Sequence, residues 1–162
     1  GRKIKQSFSV TNGETPRIID PRNAFIMTSL LKEVINTGTA RKAKRLKRED
    51  IAGKTGTTNE LVDAWFAGFT PNVVTITWMG FDQPRSLGKH ETGSRAALPI
   101  WIDYMKPIIN DYPTKIVETP EGIIPLRINP KNGMLANKNE DGIYEYFYDE
   151  FPPSNNAYFL LN

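Results

Sequence analysis

The sequence predicts a domain of the α+β class, because a segment with helical spacing of apolar residues and a second predicted helix enclose a group of short strand-like runs. The first helix is expected after residue 20, the strands between residues 50 and 81, and the second helix from residue 95 to about residue 109. From residue 112 on, proline and glycine recur every few positions, which predicts an irregular C-terminal extension. We therefore divide the chain into a core portion, residues 1–111, and an extension, residues 112–162.

The first helix has clear start and stop signals. Asp20 is a favourable N-cap, and Pro21 occupies the first helical position, where its missing N–H leaves no hydrogen bond unmade. Gly38 is placed to end the helix. The apolar side chains that recur at helical spacing, and are expected to face the core, are Phe25, Ile26, Leu30, Leu31, Val34 and Ile35.

Three strand-like runs follow, over residues 50–57, 63–69 and 73–81. The third is rich in β-branched and aromatic residues and alternates its side chains between two faces. A short Pro-Asn turn at residues 71–72 joins the second and third runs, which predicts an antiparallel hairpin. Core packing is the expected role of the large aromatic residues Trp65, Phe66, Trp78 and Trp101.

After a predicted loop over residues 84–93, Ser94 is expected to cap the second helix, which runs over residues 95–109. Pro99 fits this helix either in its first turn or at a kink. In the extension, residues 123–128 and 143–148 are candidates for small strands.

The composition excludes several classes of function. Because the chain has no cysteine, it has no disulfides, no thiol catalysis and no Cys-based zinc site. His90 is its one histidine, so a metal site is not expected, and no other cofactor is expected either. A formal net charge of +3 is mild, so affinity for polyanions would need a local patch. No apolar run is long enough to cross a membrane. The chain begins with Gly1, and we expect it to be cut from a longer protein.

The densest candidate for chemistry is the sequence AGKTGTTN at residues 52–59. One interpretation is a phosphate-binding loop, because Gly53-Lys54-Thr55 matches the end of that motif. However, Arg48 stands where the motif needs its first glycine, and a strand-like run rather than a helix follows. The nucleotide-binding interpretation is therefore rejected.

The other interpretation is the Lys-Thr-Gly strand of serine acyl-transferases that react with penicillin. Lys54 supplies a cation that can tune a neighbouring hydroxyl or amine. Gly56 lets an extended substrate lie close to the strand edge. Thr55 and Thr57 offer hydroxyls for a terminal carboxylate, and the Thr57 N–H can face a developing oxyanion. A bare Lys-Thr-Gly tripeptide is nevertheless weak evidence without its neighbours.

The neighbouring motifs supply that support. Residues 36–40 (NTGTA) precede the Lys-Thr-Gly segment, and residues 63–71 (DAWFAGFTP), 78–82 (WMGFD) and 91–103 (ETGSRAALPIWID) follow it. Together and in this order, they closely resemble the class A penicillin-binding proteins, which are bifunctional peptidoglycan synthases. The resemblance implies a penicillin-binding transpeptidase fold, a five-stranded antiparallel sheet with helices on both faces. The chain would supply its last three strands and final helix.

The resemblance also implies a site and a mechanism. Lys54 would be catalytic, and Thr55, Gly56 and Thr57 would bind the D-Ala-D-Ala end of peptidoglycan stem peptides, or β-lactam antibiotics, during serine acyl-enzyme transpeptidation. The serine nucleophile of the S-x-x-K motif and the S-x-N motif would lie upstream, so the chain alone is expected to be inactive. A glycosyltransferase domain and a membrane anchor would also lie upstream, with this domain facing the periplasm or outer surface. The truncated sheet would expose apolar edges and faces, which makes a homodimer conceivable.

Three segments of the chain match the sequence patterns of the two missing motifs. Residues 29–32 (SLLK) and 86–89 (SLGK) fit S-x-x-K, and residues 154–156 (SNN) fit S-x-N. The first lies too close to Lys54 to leave room for S-x-N between them, and the other two follow the Lys-Thr-Gly segment. None is expected to be catalytic.

The basic run at residues 41–48, with six Lys or Arg in eight positions, supports a different class of function. As an alternative, the chain would be a non-catalytic interaction or nucleic-acid-binding module, and salt-sensitive binding to DNA would support it. A solvated linker is the preferred interpretation, because acidic residues follow at once and no second patch accompanies the run. A role near anionic glycan strands or lipid head groups is the next interpretation, and no nucleic-acid partner is expected. The resemblance also implies that Glu91 and Arg95 border the loop facing the Lys-Thr-Gly strand, where a salt bridge is expected rather than a substrate role.

Overall fold

The computed structural model describes residues 18–153, which form two antiparallel sheets and two main helices. In chain order the main elements are α1 (Pro21–Asn36), a 3₁₀ helix (Arg41–Leu46), β1 (Ala52–Thr57), β2 (Ala64–Phe69), β3 (Val74–Met79), α2 (Leu98–Ile108), β4 (Ile123–Ile128) and β5 (Ile143–Tyr148). One sheet has the order β1-β2-β3 and the other is the hairpin β4-β5. In residues 18–153 no helix is both long and apolar enough to cross a bilayer. The predicted α+β class is confirmed.

Helix α1 begins and ends where the sequence predicts. The Asp20 carboxylate accepts a hydrogen bond from the Arg22 N–H at 2.8 Å, which confirms the N-cap. At the other end, a Cβ added to Gly38 would lie 2.8 Å from the Val34 Cα, so only glycine allows the chain to turn this tightly against the last turn of the helix.

The main core lies between the β1-β2-β3 sheet and α2. Phe66 of β2 and Trp101 of α2 are fully buried and meet edge to face, with ring centroids 5.0 Å apart. The Trp101 indole N–H donates to the Thr75 carbonyl oxygen of β3 at 3.1 Å, so its polar atom is satisfied inside the core. Gly68 makes this packing possible, because a Cβ there would lie 2.7 Å from the Trp101 ring.

The opposite face of this sheet is not covered by the described part of the chain. Its exposed apolar side chains, which we call the open face, are Trp65, Val74, Ile76 and Trp78. The predicted core roles of Trp65 and Trp78 are therefore wrong for this chain, since they are 42% and 46% exposed. The cause is strand alternation: Trp65 and Trp78 are cross-strand partners on the face away from α2, while Phe66 points toward it.

The predicted start of the second helix is also wrong in its detail. Ser94 does not cap the helix; its hydroxyl pairs with the Thr92 hydroxyl at 3.0 Å, and Gly93–Ala97 forms one wide π-helical turn before α2 starts at Leu98. Pro99 lies in the first turn of α2, as predicted. A wide turn occurs here because the backbone at Gly93 packs directly on the sheet, as described below.

The extension forms the two predicted strands, β4 and β5, which pair with each other. The hairpin contacts α1: the rings of Phe25 and Tyr146 meet edge to face at 4.9 Å, and Arg22 forms an ion pair with Glu150 at 2.7 Å. The extension is thus attached to the first helix of the chain. A domain boundary between residues 111 and 112 stays a prediction.

Candidate active site

The Lys-Thr-Gly segment forms β1, and its side chains alternate between the two faces of the sheet. Lys54 is exposed and lies on the open face, opposite Ala67 of β2. Its ammonium group donates to the Thr55 carbonyl oxygen at 3.1 Å. In the described part of the chain, β2 is the strand that pairs with β1, so the other edge of β1 carries no strand. The main-chain groups on that edge are therefore not used by another strand in the described residues.

Thr55 points to the other side of the sheet, where it meets the turn that follows α1. The hydroxyl oxygens of Thr55 and Thr39 are 2.9 Å apart, and either can be the donor. Thr55 is half-buried and Thr39 is exposed, so the pair is open to solvent. Sequence reasoning did not single out Thr39 as a site residue, although it belongs to the NTGTA motif at residues 36–40.

Thr57 is held from the same side by the wide turn before α2. The Gly93 backbone N–H donates to the Thr57 hydroxyl oxygen at 3.0 Å. Gly93 must be glycine, because a Cβ there would lie 2.5 Å from the Gly56 carbonyl oxygen. The two glycines therefore bring the turn and the strand into backbone contact, and this contact places the Gly93 N–H at Thr57.

The turn after β1 is fixed by a small polar cluster around Asp63. The Asp63 backbone N–H donates to the Thr58 hydroxyl at 2.8 Å, and the Trp78 indole N–H donates to the Asp63 carboxylate at 2.9 Å. Asp63 thereby ties the end of the Lys-Thr-Gly strand to β3. A sequence search for catalytic groups does not identify this role, because the three residues meet only through the folded sheet.

The segments that imitate other catalytic motifs lie away from this strand. Ser29 and Lys32 line a groove of about 560 Å³ between α1 and residues 116–120 of the extension. Ser86 and Lys89 belong to an exposed loop. Residues 154–156 lie outside the described residues. The structure brings neither of the two described segments to Lys54, Thr55 or Thr57.

The basic run is only partly solvated. Its exposed cations are Arg41, Lys42, Lys44, Arg45 and Lys47. Arg48 instead forms an ion pair with Asp50 at 2.7 Å, and the Arg48 and Asp50 side chains are 11% and 1% exposed. The prediction of a solvated linker is wrong at Arg48, because the fold places a buried carboxylate two residues further along the chain.

The expected salt bridge between Glu91 and Arg95 is also wrong. No ion pair joins the two within residues 18–153, and Arg95 is exposed in the middle of the π-helical turn. Both residues border the wide turn that carries Gly93, but neither side chain is engaged with β1 by a hydrogen bond in the described residues.

An antiparallel sheet whose edge strand carries Lys-Thr-Gly-Thr, packed on a helix, agrees with the class of penicillin-recognising proteins that the motifs indicated. No protein-family model matches the chain. The chain is 49% identical over 156 residues to penicillin-binding protein 1A of Pseudomonas aeruginosa. The aligned region covers 95% of this chain and 19% of that protein. The chain is 48% identical over 125 residues to penicillin-binding protein 1A of Neisseria lactamica, covering 76% of this chain and 16% of that protein.

A solved structure agrees with these sequence relatives. The crystal structure of penicillin-binding protein 1A from Haemophilus influenzae matches with a TM-score of 0.79 and 38% identity, over 86% of this chain and 22% of that chain. The chain therefore belongs to the class A penicillin-binding protein family, and it corresponds to a C-terminal part of its members. It spans about a fifth of the length of the relatives that it matches.

Proposed function

We propose that this chain is the C-terminal portion of a longer peptidoglycan synthase, called the parent protein below, and that β1 is one wall of its transpeptidase site. The substrate would be a stem peptide ending in D-Ala-D-Ala, and β-lactams would acylate the same site. The parent protein would sit in the bacterial cytoplasmic membrane, with this domain facing the periplasm or the outer surface. Its glycosyltransferase domain, anchor and serine nucleophile would come from sequence upstream of this chain.

The observation that carries the proposal is the arrangement of β1 as an edge strand with its polar groups already oriented. Thr55 and Thr57 have hydroxyls held from one side by Thr39 and by the Gly93 N–H. Gly56 between them presents no side chain, so a substrate backbone can approach the free edge. Hydroxyls at two positions on one side of the strand would bind the terminal carboxylate of such a peptide.

The open face supports the proposal that the nucleophile comes from another segment of the parent protein. Lys54 lies on the same face as Trp65 and Ile76, which are 42% and 62% exposed. We expect a helix of the parent protein to cover these apolar side chains, since such a patch is unfavourable in water. A serine on that helix would then lie beside the Lys54 ammonium, which would favour the deprotonated form of the nucleophile or of its base.

The chemistry that follows is an acyl transfer in two steps. The serine oxygen attacks the carbonyl carbon of the penultimate D-Ala, its proton passes to a neighbouring base, and the terminal D-Ala leaves as an amine after accepting a proton. The amino group of a second stem peptide then attacks the acyl-enzyme, which restores the serine and completes the cross-link. With a β-lactam the ring opens, and the acyl-enzyme persists.

The test is acylation by a fluorescent penicillin. In the parent protein, or in the Pseudomonas aeruginosa relative with its matching segment exchanged for this chain, Lys54→Ala should slow acylation by about 10²–10⁴-fold. Lys106→Ala, which removes an exposed lysine from α2, is the matched control and should leave the rate unchanged. Unchanged acylation in Lys54→Ala would refute the role of Lys54. Stable labelling of the isolated chain would contradict the expectation that the nucleophile lies elsewhere.

A further inference from the structure

The contact between Thr39 and Thr55 assigns a task to a residue outside the Lys-Thr-Gly strand. We propose that Thr39 is a positioning residue: its hydroxyl donates to the Thr55 oxygen and so directs the Thr55 proton toward a carboxylate of the substrate. This inference rests on the proposed function, and it concerns how the site is tuned rather than which reaction occurs there. Its basis is the distance of 2.9 Å between the two hydroxyl oxygens.

The backbone holds Thr39 in place, so the contact does not depend on a flexible loop. Ala40 is fully buried, and its N–H donates to the Val34 carbonyl oxygen at 3.0 Å. On the other side, the Gly38 N–H donates to the Glu33 carbonyl oxygen at 3.0 Å. Thr39 therefore lies between two residues that are anchored to the last turn of α1. Its hydroxyl is a fixed partner for Thr55.

The direction of the hydrogen bond decides what Thr55 offers to a ligand. A hydroxyl has one proton and two lone pairs. If Thr55 donates to Thr39, its remaining lone pairs face the solvent and repel a carboxylate. If Thr39 donates to Thr55, the Thr55 proton is free to bind the carboxylate. A bound anion favours the second arrangement, and each hydrogen bond of such a chain polarises the next.

Thr57 has the same arrangement with a donor that cannot be reversed. The Gly93 N–H can only donate, so the Thr57 hydroxyl oxygen accepts at 3.0 Å and the Thr57 proton stays free. Thr55 and Thr57 are two positions apart on one side of the strand, at a separation of roughly 7 Å along the backbone. Because both hydroxyls lie on one side of the strand, both can face the same bound carboxylate. Thr39 thus acts on Thr55 as the Gly93 N–H acts on Thr57: it donates to the hydroxyl oxygen and leaves the hydroxyl proton free for a ligand.

The charge near Thr39 is of the sign that such a ligand needs. Arg41 and Lys42 are exposed and follow Thr39 by two and three residues, which places their backbone within about 11 Å of it. This distance is comparable to the screening length at physiological salt, so the cations raise the local concentration of an anionic peptide. Arg41 and Lys42 outnumber Glu33, whose carboxylate lies 3.4 Å from the Thr37 hydroxyl, so the local charge favours a carboxylate at the hydroxyl pair.

The test is a double-mutant cycle on the acylation rate of the parent protein, or of the exchanged relative, by a carboxylate-bearing penicillin. Thr39→Val keeps the shape of the side chain and removes the hydroxyl; it should slow acylation by about fivefold to tenfold. Thr39→Ser should restore the rate. In a Thr55→Val background, Thr39→Val should not slow acylation further, because the Thr55 hydroxyl through which Thr39 acts is already absent.

Thr37→Val is the matched control. Thr37 lies in the same turn, but its hydroxyl donates to the Glu33 carbonyl oxygen at 3.2 Å and does not reach β1. It should leave acylation unchanged. The inference is overturned if Thr39→Val has no effect, or if it slows acylation by the same factor with and without the Thr55 hydroxyl, since the latter is the signature of a purely structural role. If Lys54→Ala also leaves the rate unchanged, the proposed function itself fails.

Discussion

Arg48 and Asp50 form a two-point ion pair at the start of the Lys-Thr-Gly strand. The distances are 2.7 Å from Arg48 Nη2 to Asp50 Oδ2 and 2.8 Å from Nε to Oδ1. Arg48 Nη1 also donates to the carbonyl oxygens of Ile109 and Tyr112, and the Lys115 N–H donates to Asp50 Oδ2 at 3.0 Å. One pair therefore joins β1, the end of α2 and the beginning of the extension.

We predict that breaking this pair destabilises the chain. Asp50→Ala leaves the Arg48 cation without its partner among half-buried carbonyls, and the free energy of unfolding should fall by about 3 kcal/mol. Arg48→Ala should have an effect of similar size, since the Asp50 side chain is only 1% exposed. Urea unfolding measures both. Arg45→Ala, in the exposed part of the basic run, should change stability by less than about 0.5 kcal/mol, and an equal loss in all three variants would contradict the prediction.

The same ion pair makes the free energy of unfolding depend on pH. Burial alone would raise the pKa of Asp50, but the hydrogen bonds from Arg48 and from the Lys115 N–H outweigh it and hold the pKa below its usual range. Because the folded pKa lies below the unfolded one, the stabilisation is complete above about pH 4 and is lost as the pH falls through the folded pKa. Asp50→Asn should therefore lose stability at neutral pH and show a weaker further loss in acid. Urea unfolding midpoints of the unsubstituted chain and of Asp50→Asn, measured at pH 7, 5 and 3, test this prediction. If the two midpoints fall by the same amount between pH 7 and pH 3, the prediction is wrong.

The fold was predictable where local signals decide it. The N-cap at Asp20, the hairpin turn between β2 and β3 and the short strands of the extension each depend on residues close together in sequence. Ser94 was mispredicted because its capping signal is local, whereas the close approach of Gly93 to Gly56 is a tertiary contact that shifts the start of the helix.

The site was predictable only in part. Lys54, Thr55, Gly56 and Thr57 lie on one edge strand, as the motif required, but their roles in catalysis stay predictions. The Thr39 contact joins residues 16 positions apart and the Gly93 contact residues 36 positions apart, so no spacing rule reveals them. Likewise, strand alternation alone does not tell which face of β3 a helix will cover, and that choice decides whether Trp78 is buried.

The open face leads to a last prediction about self-association. Ile76 is 62% exposed and Trp78 is 46% exposed on a sheet whose other face carries the core. Apolar area of this kind is buried by another surface whenever one is available. For the isolated chain the available surface is a second copy, so we expect concentration-dependent association at micromolar concentrations. Sedimentation velocity measures it.

Ile76→Lys should suppress this association, because a charge at the centre of the open face must be desolvated when two copies meet. The unfolding free energy of the isolated chain should change little, since the side chain is already largely in water. In the parent protein, where we expect a helix to cover this face, the same substitution should lower stability by several kcal/mol (about 2–4). Ile116→Lys is the control, because Ile116 is 74% exposed but lies outside the sheet. If Ile116→Lys disrupts association as strongly as Ile76→Lys, the open face is not the surface involved. If Ile76→Lys is harmless in the parent protein, no helix covers that face.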